Sequence, residues 1–170
     1  TGLIYLQVLQ LDNNQISDLS PLAGLANLQN LYLNNNQISD LNPLVELTNL
    51  QYLNLNGNQI SNLSPLANLT NLYYLYLVYN HISDLSPLAG LTNLQSLYLQ
   101  QNQISDISPL VELTNLRWLD INYNPISSAL AFIASKQISI NVSIGIFNPS
   151  GFSHCLISSL LVPAANLGSL

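Results

Sequence analysis

Residues 72–93 read LYYLYLVYNHISDLSPLAGLTN, and the same pattern returns every 22 residues. Leu6, Leu28, Leu50, Leu72, Leu94 and Leu116 each begin a copy of LxxLxLxxNxI, and five of the six copies continue into Leu or Ile, a Pro and two more leucines. A fixed period of this size marks a solenoid, in which each unit buries its apolar face only against its neighbours. Within LxxLxLxx the fourth and sixth positions, such as Leu31 and Leu33 or Leu75 and Leu77, point to one face of a short strand; the third, fifth and seventh point to the other. The leucine face is the core. Twenty-two residues leave no room for a full crossover helix, so the return path is expected to use turns and short 3₁₀ or helical pieces around Pro21, Pro43, Pro65, Pro87 and Pro109, with successive strands parallel. The expected fold is of the α/β class: a curved right-handed superhelix with a parallel β-sheet on the concave face and turns and short 3₁₀ or helical pieces on the convex face.

The repeat domain is expected over residues 1–147, as about six units plus a degenerate last strand, with a non-repeat C-terminal tail over 148–170. The sixth unit departs from the pattern, with Pro125 after Asn124 and Ser128-Ala129-Leu130-Ala131-Phe132 in place of the Asp-Leu-Ser-Pro-Leu run. The alternation Ile138, Ile140, Val142, Ile144 then predicts a closing strand that starts one residue early, as in a unit of 21. At the other end Gly2-Leu3 aligns with Gly24-Leu25, which places Thr1 inside a repeat; with no Met present, the chain reads as a fragment.

Charged residues make up only 6% of the chain, so its surface is wetted mainly by Asn, Gln and Ser. The net charge is −6, and Arg117 and Lys136 are the only Lys and Arg residues. Nucleic acid is held by clustered cations that displace counterions, which two separated ones do not supply. No apolar run approaches the roughly 18 residues that a membrane span needs, so membrane insertion is not expected. The single Cys155 permits no internal disulfide.

The spacing LxxLxxLxLxxNxIxDLxPL, with Leu-Thr-Asn at Leu47-Thr48-Asn49, Leu69-Thr70-Asn71, Leu91-Thr92-Asn93 and Leu113-Thr114-Asn115, resembles the leucine-rich repeat of the bacterial internalins over about four fifths of the chain. The resemblance implies a curved, non-enzymatic recognition module that is secreted or displayed at a cell surface. The helical N-terminal cap and immunoglobulin-like extension of internalins have no counterpart here, so their anchoring and receptors do not carry over.

Asn14, Asn36, Asn58, Asn80, Asn102 and Asn124 form a column, one per unit. Asn has the donors and the acceptor to satisfy backbone groups where the chain leaves a strand, and the irregular sixth unit predicts that the column is weakest at Asn124. Asp18, Asp40, Asp84 and Asp106, with Asn62 in the same slot, suit the start of a turn or short helix, where a side-chain acceptor is wanted. One acid per unit with no second ligand argues against a Ca²⁺ site, so neither metal nor cofactor is expected. His81 occupies a slot that Gln fills in four other units and reads as a solvated loop residue. His154 and Cys155 adjoin in the tail, but nothing orients them as a base and nucleophile, so no catalytic residue is assigned.

Eight of nine tyrosines and the only Trp fall within the strand segments, and most sit at outward positions. Tyr52, Tyr74 and Trp118 take the third position, and Tyr32, Tyr76 and Tyr98 the fifth, with Tyr79 and Tyr123 at the eighth along the edge. Strands about 4.8 Å apart would bring Tyr52 beside Tyr74 and Tyr76 beside Tyr98. Tyrosine favours strands on propensity alone. Against that stands the mixture of rigid rings with adaptable amides on a wall that differs at every unit while the return side is nearly copied. The expected ligand-binding set is Tyr32, Tyr52, Asn54, Tyr74, Tyr76, Tyr98, Trp118 and Asp120. Its expected partner is a protein, or alternatively a glycan or the cell wall. A passive spacer of a larger surface protein would need no such patch.

Overall fold

The computed structural model describes residues 2–126 and the strand Asn141–Ser143. Strands β1 (Val8–Gln10), β2 (Asn30–Tyr32), β3 (Tyr52–Asn54), β4 (Tyr74–Tyr76), β5 (Ser96–Tyr98), β6 (Trp118–Asp120) and β7 (Asn141–Ser143) form one parallel sheet in chain order. From β1 to β6 the register advances by one repeat per strand: Leu9 pairs with Leu31, then Leu53, Leu75, Leu97 and Leu119. These central leucines and their partners two residues on, such as Leu33, Leu55 and Leu77, fill the core, and from β2 to β5 they have no exposed surface. The sheet lines the concave face of a right-handed solenoid.

The return path is as compact as the repeat length requires. Short 3₁₀ turns at Ser20–Leu22, Asn42–Leu44, Ser64–Leu66, Ser86–Leu88 and Ser108–Glu112 each carry a Pro in the first two positions, where its missing N–H costs nothing and its φ is preset. The residue two before each turn holds it: the side chains of Asp18, Asp40, Asn62, Asp84 and Asp106 accept the N–H of Ser20, Asn42, Ser64, Ser86 and Ser108 at 2.8–2.9 Å. Asn62 does this without charge, so an oxygen acceptor is what the slot requires. Bonds to Ser20 and Ser86, side chain first, hold Asp18 and Asp84 below the ordinary carboxylate range, and the Ser108 amide does the same for Asp106. Their contribution is present above the ordinary carboxylate pKa and fades as pH falls through the depressed values.

The asparagine column is a continuous ladder. The Nδ2 of Asn58 donates to Leu55 O and, one unit back, to Leu33 O, both at 3.0 Å, while its Oδ1 accepts the Ile38 N–H at 3.0 Å. Asn36, Asn80 and Asn102 repeat the arrangement, so each of the carbonyls of Leu33, Leu55, Leu77 and Leu99 is shared by two successive asparagines. The ladder does not weaken at Asn124 as the irregular sixth unit predicts. Asn124 makes the full set, with Leu99 O, Ile121 O and the Ile104 N–H, because those partners lie in units five and six ahead of the point where the pattern breaks. The weak end is Asn14, which is exposed and reaches only Leu11 O and Asp12 O.

A second ladder gives Leu-Thr-Asn a physical role. Asn49, Asn71, Asn93 and Asn115 donate to the carbonyls of Ala26, Thr48, Thr70 and Thr92 in the preceding unit at 2.8–2.9 Å, and Asn27 does the same to Ile4.

The closing strand exists, but its register corrects the expected one. Leu119 pairs with Val142 rather than Ile140, one residue beyond a 22-residue step where the alternation predicted one short of it. Alternation fixes which face a residue takes and leaves shifts of two residues equally satisfied, because Ile140 and Val142 are both apolar. The remainder of 127–170, including His154, Cys155 and the boundary at 147, lies outside the described residues.

Candidate functional site

Parity along each strand puts the third, fifth and seventh positions of every unit on the concave wall. Five of the six units contribute rings to it, and the rings touch in a zigzag that crosses the strand positions. Tyr32 lies 4.7 Å from Tyr52 between centroids; Tyr52 lies 5.1 Å from Tyr76 and 6.1 Å from Tyr74; Tyr76 stacks on Tyr98 at 4.6 Å with planes 6° apart; Tyr98 lies 6.3 Å from Trp118. The expected side-by-side pairs, Tyr52 with Tyr74 and Tyr76 with Tyr98, are both present. The diagonal contacts Tyr32–Tyr52 and Tyr52–Tyr76 join them into one array, so all the expected aromatic residues are brought together.

Asn54 and Asp120 occupy the fifth position of β3 and β6 and border this array. Asn54 accepts the Asn56 N–H at 3.1 Å and hydrogen-bonds the Tyr52 hydroxyl. Burial, followed by the neighbouring Tyr76 and Tyr32, pushes the Tyr52 phenol well above its ordinary range. Tyr98 is raised by burial, then by Tyr76 and Asp120. Both phenols therefore stay neutral donors through the physiological range. Burial also raises the Asp120 carboxyl, against hydrogen bonds from Asn122 and Gln100 that lower it.

The eighth position adds a feature that motif spacing did not reveal. Asn13, Asn35, Gly57, Tyr79, Gln101 and Tyr123 all have φ between 55° and 64°, the left-handed region. Asn and Gly adopt it readily, whereas a bulky side chain is held there against its preference. Tyr79 and Tyr123 are nevertheless 61% and 44% exposed, so core packing does not account for them. Strained positions of this kind concentrate at functional sites. Tyr79→Asn, the residue found at the same slot in Asn35, should therefore raise the unfolding free energy by roughly 1 kcal/mol, measured by urea denaturation. A loss of stability would show that Tyr79 is held by packing.

Among the described residues no three His, Cys, Asp or Glu side chains converge on a common point, and no helix is long and apolar enough to cross a membrane. His81 is exposed, with its backbone N–H on Ile60 O.

The description "Leucine Rich repeats (2 copies)" fits residues 6–46 and 48–90, and "Leucine rich repeat" fits 70–126. No curated protein matches the chain. Among solved structures it is similar to internalin C2 of Listeria monocytogenes, with 40% identity and a TM-score of 0.73 over 82% of this chain and 71% of that one. It is similar also to internalin inlF of the same organism, at 43% and 0.74 over 86% of this chain and 44% of the other. A leucine-rich-repeat protein of Leptospira interrogans matches at 30% and 0.69, over 82% and 38%. With the repeat, the parallel sheet and these relatives in agreement, the chain belongs to the leucine-rich-repeat family and is of the bacterial internalin type.

Proposed function

We propose that the chain is a non-enzymatic recognition module, secreted or displayed at a bacterial surface, that binds a protein partner on its concave aromatic wall. The observation that carries this reading is the zigzag of touching rings. Tyr76 and Tyr98 lie face to face, and Tyr52 is tilted against Tyr32, Tyr74 and Tyr76. Much of the ring face of Tyr52, Tyr76 and Tyr98 is thereby used within the wall, which favours ring edges as the contact offered to a ligand. A pyranose ring is gripped by a free aromatic face; a protein surface, with its mixture of apolar contact and backbone acceptors, suits edges and hydroxyls better. Tyrosine and tryptophan among amides are also the residues on which protein interfaces concentrate their energy.

Tyr74 and Trp118 are the most exposed members of the expected set, at 41% and 38%, and therefore the least involved in holding the wall together. The double variant Tyr74→Ser/Trp118→Ala should lose cross-linked capture of its protein partner by about thirtyfold, the equivalent of one anchor of ~2 kcal/mol. A variant at Asn42 and Glu46 on the convex side should capture normally. If the double variant captures normally while the convex one does not, the working surface is the convex side. A glycan array that binds the unmodified chain and loses it in the double variant would assign the wall to sugars.

A further inference from the structure

We propose that Asp120, framed by Tyr98, Trp118 and Gln100, receives the guanidinium of an arginine carried by the protein partner. This rests on the concave wall being the recognition surface, and it names a contact there. The β5–β6 register sets Asp120 beside Tyr98, and Trp118, two residues earlier on the same strand, shares its face. The two rings stand 6.3 Å apart with planes tilted by 33°. The carboxylate Oδ1 accepts the N–H and the Nδ2 of Asn122 at 3.2 and 2.8 Å, and the Gln100 side chain hydrogen-bonds the carboxylate as well. All these donors are neutral. Among the described residues no cationic side chain pairs with Asp120, and Arg117 is exposed. Register places Ser143, also uncharged, next along the sheet.

The site therefore holds a carboxylate that is half withdrawn from water and has no counter-charge among the described residues. Beside it the Gln100 Oε1 is buried with no hydrogen-bond donor among the described residues. A negative site left uncompensated by its own protein is costly unless a cation arrives. Arg117, the only Lys or Arg among the described residues, does not pair with Asp120, so a cation brought by a partner would answer the charge. Guanidinium fits better than ammonium: it is flat, weakly hydrated, stacks on aromatic rings and offers several N–H groups to a carboxylate in one plane. The raised Asp120 carboxyl is consistent with this, since an arriving cation would bring it back down.

Trp118 is the only tryptophan, so its fluorescence reports on this spot alone. The full chain, at pH 7, is titrated with N-acetyl-arginine amide and with its neutral isostere N-acetyl-citrulline amide. The arginine probe should give a saturable change, with citrulline binding roughly tenfold or more weakly. Asp120→Asn should abolish the difference, and Asp12→Asn, a carboxylate at the far end of the wall, should preserve it. Equal responses to the two probes, or an unchanged arginine response in Asp120→Asn, would overturn the assignment. The citrulline comparison stands on the unaltered chain should Asp120→Asn fold poorly. Partner capture lost in Tyr74→Ser/Trp118→Ala but insensitive to Asp120→Asn would leave the recognition wall in place and remove the arginine site.

Discussion

Asn58→Ala is expected to lower the unfolding free energy by about 3 kcal/mol, against about 1 kcal/mol for Asn14→Ala. The substitution at 58 leaves the Ile38 N–H without its acceptor and takes one of two donors from each of the Leu33 and Leu55 carbonyls. A buried donor left unmade costs ~1–3 kcal/mol, and each lost bond to a carbonyl adds on the order of 1 kcal/mol. Asn14 is exposed, and water can replace its two bonds. Asn124→Ala should cost nearly as much as Asn58→Ala, since its bonds are the same. Urea denaturation of the three variants provides the measurement. Equal and small losses at 14 and 58 would mean that the ladder contributes little.

The second large effect is Leu75→Ala, expected to cost about 3–5 kcal/mol, as deletion of most of a fully buried side chain does when its surroundings relax only partly. Leu75 has no exposed surface and is flanked in register by Leu53 and Leu97. Leu9→Ala should cost less than half of that, because Leu9 is only partly buried and sits in a strand with a neighbour on one side. In a solenoid the coupling between units holds the array together, so the central substitution should also broaden the transition or split it in two. A single sharp transition, shifted equally by Leu75→Ala and Leu9→Ala, would contradict a chain of nearest-neighbour couplings.

Strand positions, core, 3₁₀ returns and the asparagine column were legible because each is dictated by a period that six copies repeat in register. The concave wall was legible at the level of parity: Tyr52, Tyr74 and Trp118 had to face away from Leu53, Leu75 and Leu119. Parity does not say which rings meet. The diagonal contacts of Tyr52 with Tyr32 and Tyr76 depend on sheet twist and rotamer, which a linear pattern does not encode. The left-handed eighth position left a partial signal, since Asn13, Asn35 and Gly57 are residues that such a slot favours. Tyr79, Gln101 and Tyr123 concealed it. The closing strand was found but misplaced, because alternation is blind to slips of two. Asp120 was placed on the wall correctly, but that no cation among the described residues answers it became visible only with its neighbours in three dimensions.

Both asparagine columns point one way. Asn58 supplies the oxygen for Ile38 and a donor for Leu33, and Asn49 reaches the carbonyl of Ala26, always in the unit before. In both columns a turn of this chain is thus finished by its successor. For a polypeptide made from the N-terminus, each turn stays incomplete until the next has emerged. Assembly therefore has a direction, and the lag is one repeat.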